Sequence, residues 1–401
     1  MTIPDQLQQY RQEMQEELKQ LLAYWQHYTI DEVHGGFAGQ VDANNIIHPF
    51  APKGAVLNAR ILWSFAAAYR LTKEESYLNT ADRALDYLLT HFIDMQHGGV
   101  YWSLDYKGQI LDSKKQVYAI AFAIYALSEY YRCYQNDSIK EKAIEMYNVL
   151  VRRTYDKEHG GFKEAFTQDW QPIAEQRLSE KDDNTPKSMN THLHVLEAFT
   201  NLYRIWPNEN LGWHIEELMD DFENHIINQQ THTLHLFFEM DWTVKGDTIS
   251  FGHDIEAAWL LLEAAEVLGD ESIIERTKQT AVTIATAAVK GLDDDGGLWY
   301  ESSGDGSHWV LEKHSWPQAE AMVGFFNAWQ LTGDEKWLRH SVDSWHFAKQ
   351  YLKDPAGEWY WGIYKDGSLM QKDKAGFWKC PYHTTRACME IIKRIGKLQK
   401  F

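Results

Sequence analysis

Three cysteines in 401 residues, Cys133, Cys380 and Cys388, are few and far apart, and no CxxC pair is present. They read as the reduced thiols of a cytosolic protein. Basic residues are scarce as well: 39 Lys and Arg stand against 58 Asp and Glu, a net charge of −19. That balance argues against nucleic acid and anionic membrane surfaces as partners. No apolar run approaches the ~18 residues of a membrane span. The stretch from Met1 to Gln6 leads straight into a polar helix, so no secretory signal is expected. GxGxxG, a Walker loop, GxSxG and HExxH are all missing, which leaves a nucleotide without a cradle and shows no activated nucleophile. No cofactor and no resident metal are expected. No long Pro- or Ser-rich linker divides the chain, and a cytoplasmic monomer with one catalytic domain over residues 1–401 is the expectation.

What the chain has in plenty is aromatic surface: 14% of residues, with 17 Trp and 21 Tyr. Indole faces in excess of core needs suit the C–H faces of pyranose rings, so a sugar is the expected small-molecule partner. A second abundance is repetition. His34-Gly35-Gly36-Phe37, His97-Gly98-Gly99-Val100 and His159-Gly160-Gly161-Phe162 recur at intervals of about sixty residues. Asp295-Gly296-Gly297-Leu298 and the degraded Gly357-Glu358-Trp359 continue the series, and His232-Thr233-Leu234 fills the gap without glycines.

Between these turns the apolar positions step by three or four, predicting twelve helices. They lie at about 6–28, 54–71, 76–93, 115–134, 138–155, 187–206, 211–229, 253–268, 271–290, 314–331, 335–352 and 381–395. The odd-numbered helices are rich in charge and want a solvent face; the even-numbered ones, such as Ala119–Leu127, are apolar on most sides. Six such units predict an all-α (α/α)6 barrel of six helical hairpins with the even helices inside; an open superhelix is the competing arrangement. Polar residues in the first turns of inner helices then converge on one mouth, where the catalytic cleft is expected. They are Asn58, Arg60, Gln116, Tyr118, Asn190, His192, His194, His253, Glu256, Trp316, Gln318, Glu320, His383 and Arg386. Helix N-termini meeting there favour a developing oxyanion.

On one helix face, His253, Glu256 and the ring of Trp259 recur at three-residue spacing, equipment for proton transfer beside a stacked ligand. His194-Val195-Leu196-Glu197 and His253-Asp254-Ile255-Glu256 share a His-x-x-Glu spacing that suits either a metal or a carboxylate orienting an imidazole; the metal-free reading is favoured. Two histidines on opposite sides of a carbon next to a carbonyl can take a proton from one face and return one to the other. Arg60 and the helix ends would stabilise the enediolate between the two steps.

Four ordered motifs resemble the cellobiose 2-epimerases of the N-acylglucosamine 2-epimerase superfamily: Met189–Ala198, Gly252–Ala257, Trp316-Pro317-Gln318-Ala319-Glu320-Ala321 and Lys379-Cys380-Pro381-Tyr382-His383. The resemblance runs from about residue 6 to residue 396. It implies an (α/α)6 barrel and reversible epimerisation at C2 of the reducing-end glucose of β-1,4-linked disaccharides such as cellobiose and lactose. By that resemblance His253 and His383 are the acid/base pair, and His194 assists ring opening. Arg60, Tyr118, Asn190, Glu256 and Glu320 hold hydroxyls and carbonyl, Trp316 and Trp378 stack on the two sugars, and Asp182 touches the second. Two positions depart from the usual pattern: Ser315 replaces a tryptophan and Thr384 an asparagine, both at the rim. Related activities stay open as alternatives: 2-epimerisation of free mannose and glucose, and aldose–ketose isomerisation. Less favoured are hydrolysis of a glycoside by Glu256 and Glu320, and sugar binding without turnover.

Overall fold

The computed structural model describes residues 2–398; Met1 and residues 399–401 lie outside the description. Twelve helices appear among the described residues. The outer ones are α1 (Ile3–Tyr28), α3 (Glu75–Tyr87), α5 (Asp137–Thr154), α7 (Glu209–Asp221), α9 (Glu271–Ala288) and α11 (Glu335–Phe347). The inner ones are α2 (Ala55–Thr72), α4 (Val117–Cys133), α6 (Met189–Tyr203), α8 (Phe251–Leu268), α10 (Ser315–Thr332) and α12 (Tyr382–Leu398). Each inner helix packs on the next, and α12 packs on α2, so the ring is closed and the superhelix is excluded. The outermost pair joins the two ends of the chain, with α1 lying on α12.

Burial follows the predicted division. In α2 every residue from Ala55 to Ala68 is buried, and in α4 every residue from Val117 to Tyr130, because these helices are enclosed by two neighbours and an outer partner. Outer α5 buries one stripe containing Ile139, Ala143, Met146 and Leu150. Tightly connected hairpins run from inner to outer helix, as in α2 to α3 across Lys73 and Glu74. The double-glycine turns therefore link one hairpin to the next and do not sit inside a hairpin. After α3, α7 and α11 the chain makes a π-helical turn, at Leu88–Phe92, Phe222–Ile226 and Ala348–Leu352. Side-chain periodicity carries no clear mark of such a turn.

Each predicted turn closes with the same bridge: Ile30 to Phe37, Ile93 to Val100, Tyr155 to Phe162, Ile227 to Leu234, Leu292 to Leu298 and Lys353 to Trp359. Gly161 shows why glycine recurs. Its φ is +73°, and a Cβ there would lie 2.6 Å from both His192 Nε2 and the Trp242 ring. Where the glycines are missing, His232 adopts the left-handed conformation at φ +60°.

Five of the six outer helices begin with their own caps, α3 being the exception; Thr2, Asn136, Asn208, Asp270 and Asp334 accept backbone N–H groups of the first turn. Four inner helices begin at Gly54, Gln116, Ser250 and His314 without a side-chain cap. Short antiparallel strands serve three of these instead: the N–H groups of Ala55, Val117 and Ser315 donate to the carbonyls of Trp102, Glu164 and Trp361, and in α6, which Ser188 also caps, Met189 donates likewise to Leu236. These sheets lie at the N-terminal ends of the inner helices and wall the cleft.

Candidate active site

A cavity of about 950 Å³ opens at that end, near the upper limit of the ~300–1,000 Å³ usual for small-ligand sites. Of the residues expected from sequence, Arg60, Tyr118, Asp182, Asn190, His194, His253, Glu256, Trp316, Trp378 and His383 all line it.

Trp316 packs against two of the histidines. Its ring lies 4.7 Å from the His253 ring and 5.4 Å from the His383 ring, centre to centre. The two imidazoles are therefore separated by no more than those distances laid end to end. Gly252 makes this packing possible, because a Cβ at that position would approach the Trp316 ring to 2.6 Å. Each imidazole is held from behind. His383 Nδ1 is 2.7 Å from Glu320 Oε1, His194 Nδ1 is 2.9 Å from Glu197 Oε2, and His253 Nδ1 is 2.8 Å from Ser250 Oγ. A carboxylate behind Nδ1 fixes that nitrogen as the donor and leaves Nε2 with its lone pair.

Burial, followed by the cation Lys181 and the neighbouring histidines, holds His253 well below the usual 6.5. His383 is likewise held well below 6.5, by burial first and then by Arg60 and Arg386. Burial lowers His194 too, against the pull of Glu197. All three imidazoles are neutral at neutral pH and able to accept protons.

Beneath the histidines sits an ion cluster centred on Arg386, the one member that sequence reasoning placed at the mouth without assigning it a task. Arg386 Nη1 donates to Glu197 Oε1 at 2.5 Å, and Nη2 donates to Glu256 Oε1 at 2.5 Å and Glu320 Oε1 at 2.6 Å. Tyr382 donates its hydroxyl to Glu197. One cation cannot satisfy three buried carboxylates equally. Burial alone would raise Glu197, but Arg386, His194 and Tyr382 outweigh it and hold that carboxyl at about 2. Burial and then Glu320 push Glu256 up to about 8, against the opposing pull of Arg386. Glu256 is thus a neutral acid at pH 7, and its Oε2 has no partner among the described residues.

Arg60 is the opposite case. It is 2% exposed, donates to Tyr118 Oη at 2.7 Å and to Cys380 Sγ at 3.4 Å, and has no carboxylate partner among the described residues. Its guanidinium lies 4.1 Å from the Phe122 ring centre and 4.7 Å from that of Tyr382, so aromatic faces carry its charge. Tyr118 accepts from Arg60, which leaves its own proton free to donate into the cavity.

Several expectations need correction. Trp259 does not face the cavity; it is 2% exposed, donates to Glu320 Oε2 at 3.1 Å and lies under Arg386. Glu320 stands behind His383, and its oxygens are taken by His383, Arg386 and Trp259, so it holds that imidazole where direct contact with a hydroxyl was expected. His192 and Gln318 belong to the turns: His192 Nε2 accepts from the Phe162 N–H and Gln318 Oε1 from the Leu298 N–H. Asn58 donates to the Gly54 carbonyl. In the second His-x-x-Glu the two side chains do not pair. Glu256, Glu320 and His383 bring ligand atoms within 4.8 Å of one another, but the Arg386 guanidinium occupies the place of a cation there. Asp182 lines the cavity on the 174–185 segment, where its carboxylate also caps the turn at Ser179. Glu164 was missed. It lines the floor and accepts from Ser188 and Thr191. Its only sequence signal is a charge at the end of an apolar turn.

Residues 35–387 match the N-acylglucosamine 2-epimerase (GlcNAc 2-epimerase) family. A cellobiose 2-epimerase of Bacteroides fragilis is 47% identical over 385 residues, 95% of this chain and 98% of its own length. The structure of cellobiose 2-epimerase from Bacillus thermoamylovorans B4167 aligns with a TM-score of 0.92 at 40% identity, over 96% of this chain and 100% of that one. An α-mannanase of Bacteroides thetaiotaomicron aligns with a TM-score of 0.68 at 13% identity, covering 96% of this chain and 97% of its own, which shows a shared fold alone. With the family match spanning most of its length and a relative at 47% identity, the chain belongs to the N-acylglucosamine 2-epimerase family.

Proposed function

We propose that this protein interconverts glucose and mannose at the reducing end of β-1,4-linked disaccharides by inverting C2, as its relatives named cellobiose 2-epimerase imply for it. One observation carries the chemistry: two neutral imidazoles, His253 and His383, lie against one indole, Trp316, on the wall of one cavity. In the opened sugar, one imidazole takes the C2 proton and the electron pair moves into an enediolate with its charge on O1. The charge so formed favours protonation from water of the second imidazole, which delivers that proton to the other face of C2. The first imidazolium then returns its proton to water. Tyr118, backed by Arg60, donates to O1; Asn190, whose Oδ1 has no partner among the described residues, accepts from a sugar hydroxyl. His194 with Glu197 moves protons at the anomeric oxygens during ring opening. Trp378, next to Trp102 at 5.9 Å, and Asp182 serve the second sugar.

The cavity volume supports a disaccharide over a single hexose, and the closure of α1 on α12 supports residues 1–401 acting as one catalytic unit. A hydrolase would need two carboxylates free to flank a glycosidic bond, whereas Glu256 and Glu320 share one guanidinium. Incubation with cellobiose in deuterated water tests the reading. Deuterium at C2 of an intact epimer is expected; shortened chains, or no deuterium in cellobiose, lactose or mannose, would refute it.

A further inference from the structure

Eight Lys and Arg side chains are buried among the described residues: Lys53, Lys115, Lys187, Lys313, Lys374, Lys379 and Arg386 each hold a carboxylate, and Arg60 does not. An uncompensated buried cation is costly unless an anion meets it during the working cycle. The groups nearest Arg60 do not supply a carboxylate: it donates to the Tyr118 hydroxyl, which burial keeps protonated, and to the Cys380 sulfur, and the histidines beyond them are uncharged. The aldose substrate does not supply one either, since its O1 becomes negative only in the enediolate.

We propose that this floor is a binding site for sugar acids, namely aldonates of the substrate disaccharide, whose C1 carboxylate takes the place of the enediolate oxygen beside Tyr118 and Arg60. This rests on the reading of the cavity as a C2-epimerase site. An aldonate is planar at C1 and carries permanently the charge that the substrate carries only in passing. A site complementary to the passing state therefore holds the acid more tightly than the neutral sugar. The cavity rim is mixed and slightly acidic: Glu175, Glu180, Asp182, Asp183 and Glu301 line it beside Lys114, Arg177 and Lys181, with Glu175 held by Arg177 at 2.6 Å and Glu301 3.8 Å from Lys181, so it opposes entry of an anion only weakly. Those charges are nearer solvent and are screened by salt, whereas the floor is not, so binding of the acid should persist or tighten at high salt. An aldose oxidised at C1 thus acts as a shut-off ligand for an enzyme acting on the unoxidised sugar.

The test compares cellobionate with cellobiitol, a neutral ligand of the same length, as competitive inhibitors of the wild-type protein. An inhibition constant about tenfold or more lower for cellobionate is expected, undiminished at high salt. Equal or weaker inhibition by cellobionate, or a preference that salt abolishes, overturns the proposal. Arg60→Met should remove the difference and Arg60→Lys should keep part of it; a folded Arg60→Met that retains the full preference also overturns it. Should Arg60→Met not fold, the wild-type comparison decides alone. Titration calorimetry with both ligands reads the same ratio without turnover. A protein that prefers cellobionate yet exchanges no C2 proton would sink the epimerase reading and leave the sugar-acid site standing.

Discussion

The turns between hairpins and the centre of the barrel both bury ion pairs, but their arithmetic differs. At five of the six turns a lysine meets a turn aspartate: Lys53 with Asp31 at 2.8 Å, Lys115 with Asp94 at 2.7 Å, Lys187 with Asp156 at 2.8 Å, Lys313 with Asp293 at 2.6 Å and also with Asp295 at 2.7 Å, and Lys374 with Asp354. At the fourth turn both charges are gone together. Asn228 stands in the aspartate position and still accepts the N–H groups of Gln230 and Thr231, while Ile249 stands where the lysine would be. Loss of both partners leaves no orphaned charge, which is why the exchange is tolerated. At the centre, one Arg386 meets three carboxylates and the balance is deliberately uneven, so Glu197 and Glu256 sit far apart in acidity. Repeated lysine–aspartate pairs, with a second aspartate only at Lys313, brace the scaffold; the cluster of three carboxylates on one buried cation sets its members apart in acidity. This contrast separates structural from functional charge inside one barrel.

The largest break in that contrast comes from Arg386→Met. Removing the cation strands the ionised Glu197 and takes the shared donor from Glu256 and Glu320, and a loss of about 3–5 kcal/mol is expected in denaturant unfolding, together with loss of C2 exchange. Stability unchanged by this substitution would erase the distinction. Next in size, Lys115→Met leaves Asp94 buried and should cost about 3 kcal/mol, while kcat of the folded fraction is retained. The paired change of Lys115→Ile with Asp94→Asn copies the fourth turn. It should recover most of that loss, to within about 1 kcal/mol of the parent, by the same unfolding measurement. If the paired protein is as unstable as the single one, the turn pairs do more than cancel each other.

These turn pairs stand in the sequence without a local pattern that marks them as buried. The glycines drew attention because two together are rare, whereas a lysine in the strand preceding an inner helix looks like surface until the fold buries it. Helix existence was legible throughout, since 3.6-residue periodicity survives in both rings. Helix ends were less so, because strand carbonyls rather than capping side chains start the inner helices. In the site, the histidines and Trp316 could be placed from motifs, as could the carboxylate behind His194. Glu320 and Trp259 were turned the wrong way, because three-residue spacing defines a shared face but not which neighbour that face meets. Arg386 was visible as a charge on an inner helix; its three partners come from α6, α8 and α10, a long-range convergence that no local pattern carries.

The smallest effect is on pH dependence. The reacting base must be neutral in the free enzyme, and both His253 and His383 are held well below 6.5 by burial. The acid limb of kcat/KM should thus fall below pH 6.5, and a limb at or above that value would show ordinary, solvated histidines. Ionisation of Glu256 at about 8 places a second negative charge near the enediolate, so an alkaline limb is expected there, and Glu256→Gln should remove it.

The central claim is that two imidazoles serve opposite faces of one carbon. Washout of C2 deuterium, measured by NMR from the glucose and mannose epimers of the disaccharide in separate runs with His253→Ala and His383→Ala, tests it directly. Each variant should lose epimerisation while still exchanging deuterium from one epimer only, and the two variants should exchange opposite epimers. Exchange of both epimers by either variant, or full epimerisation by one, would contradict the two-face arrangement.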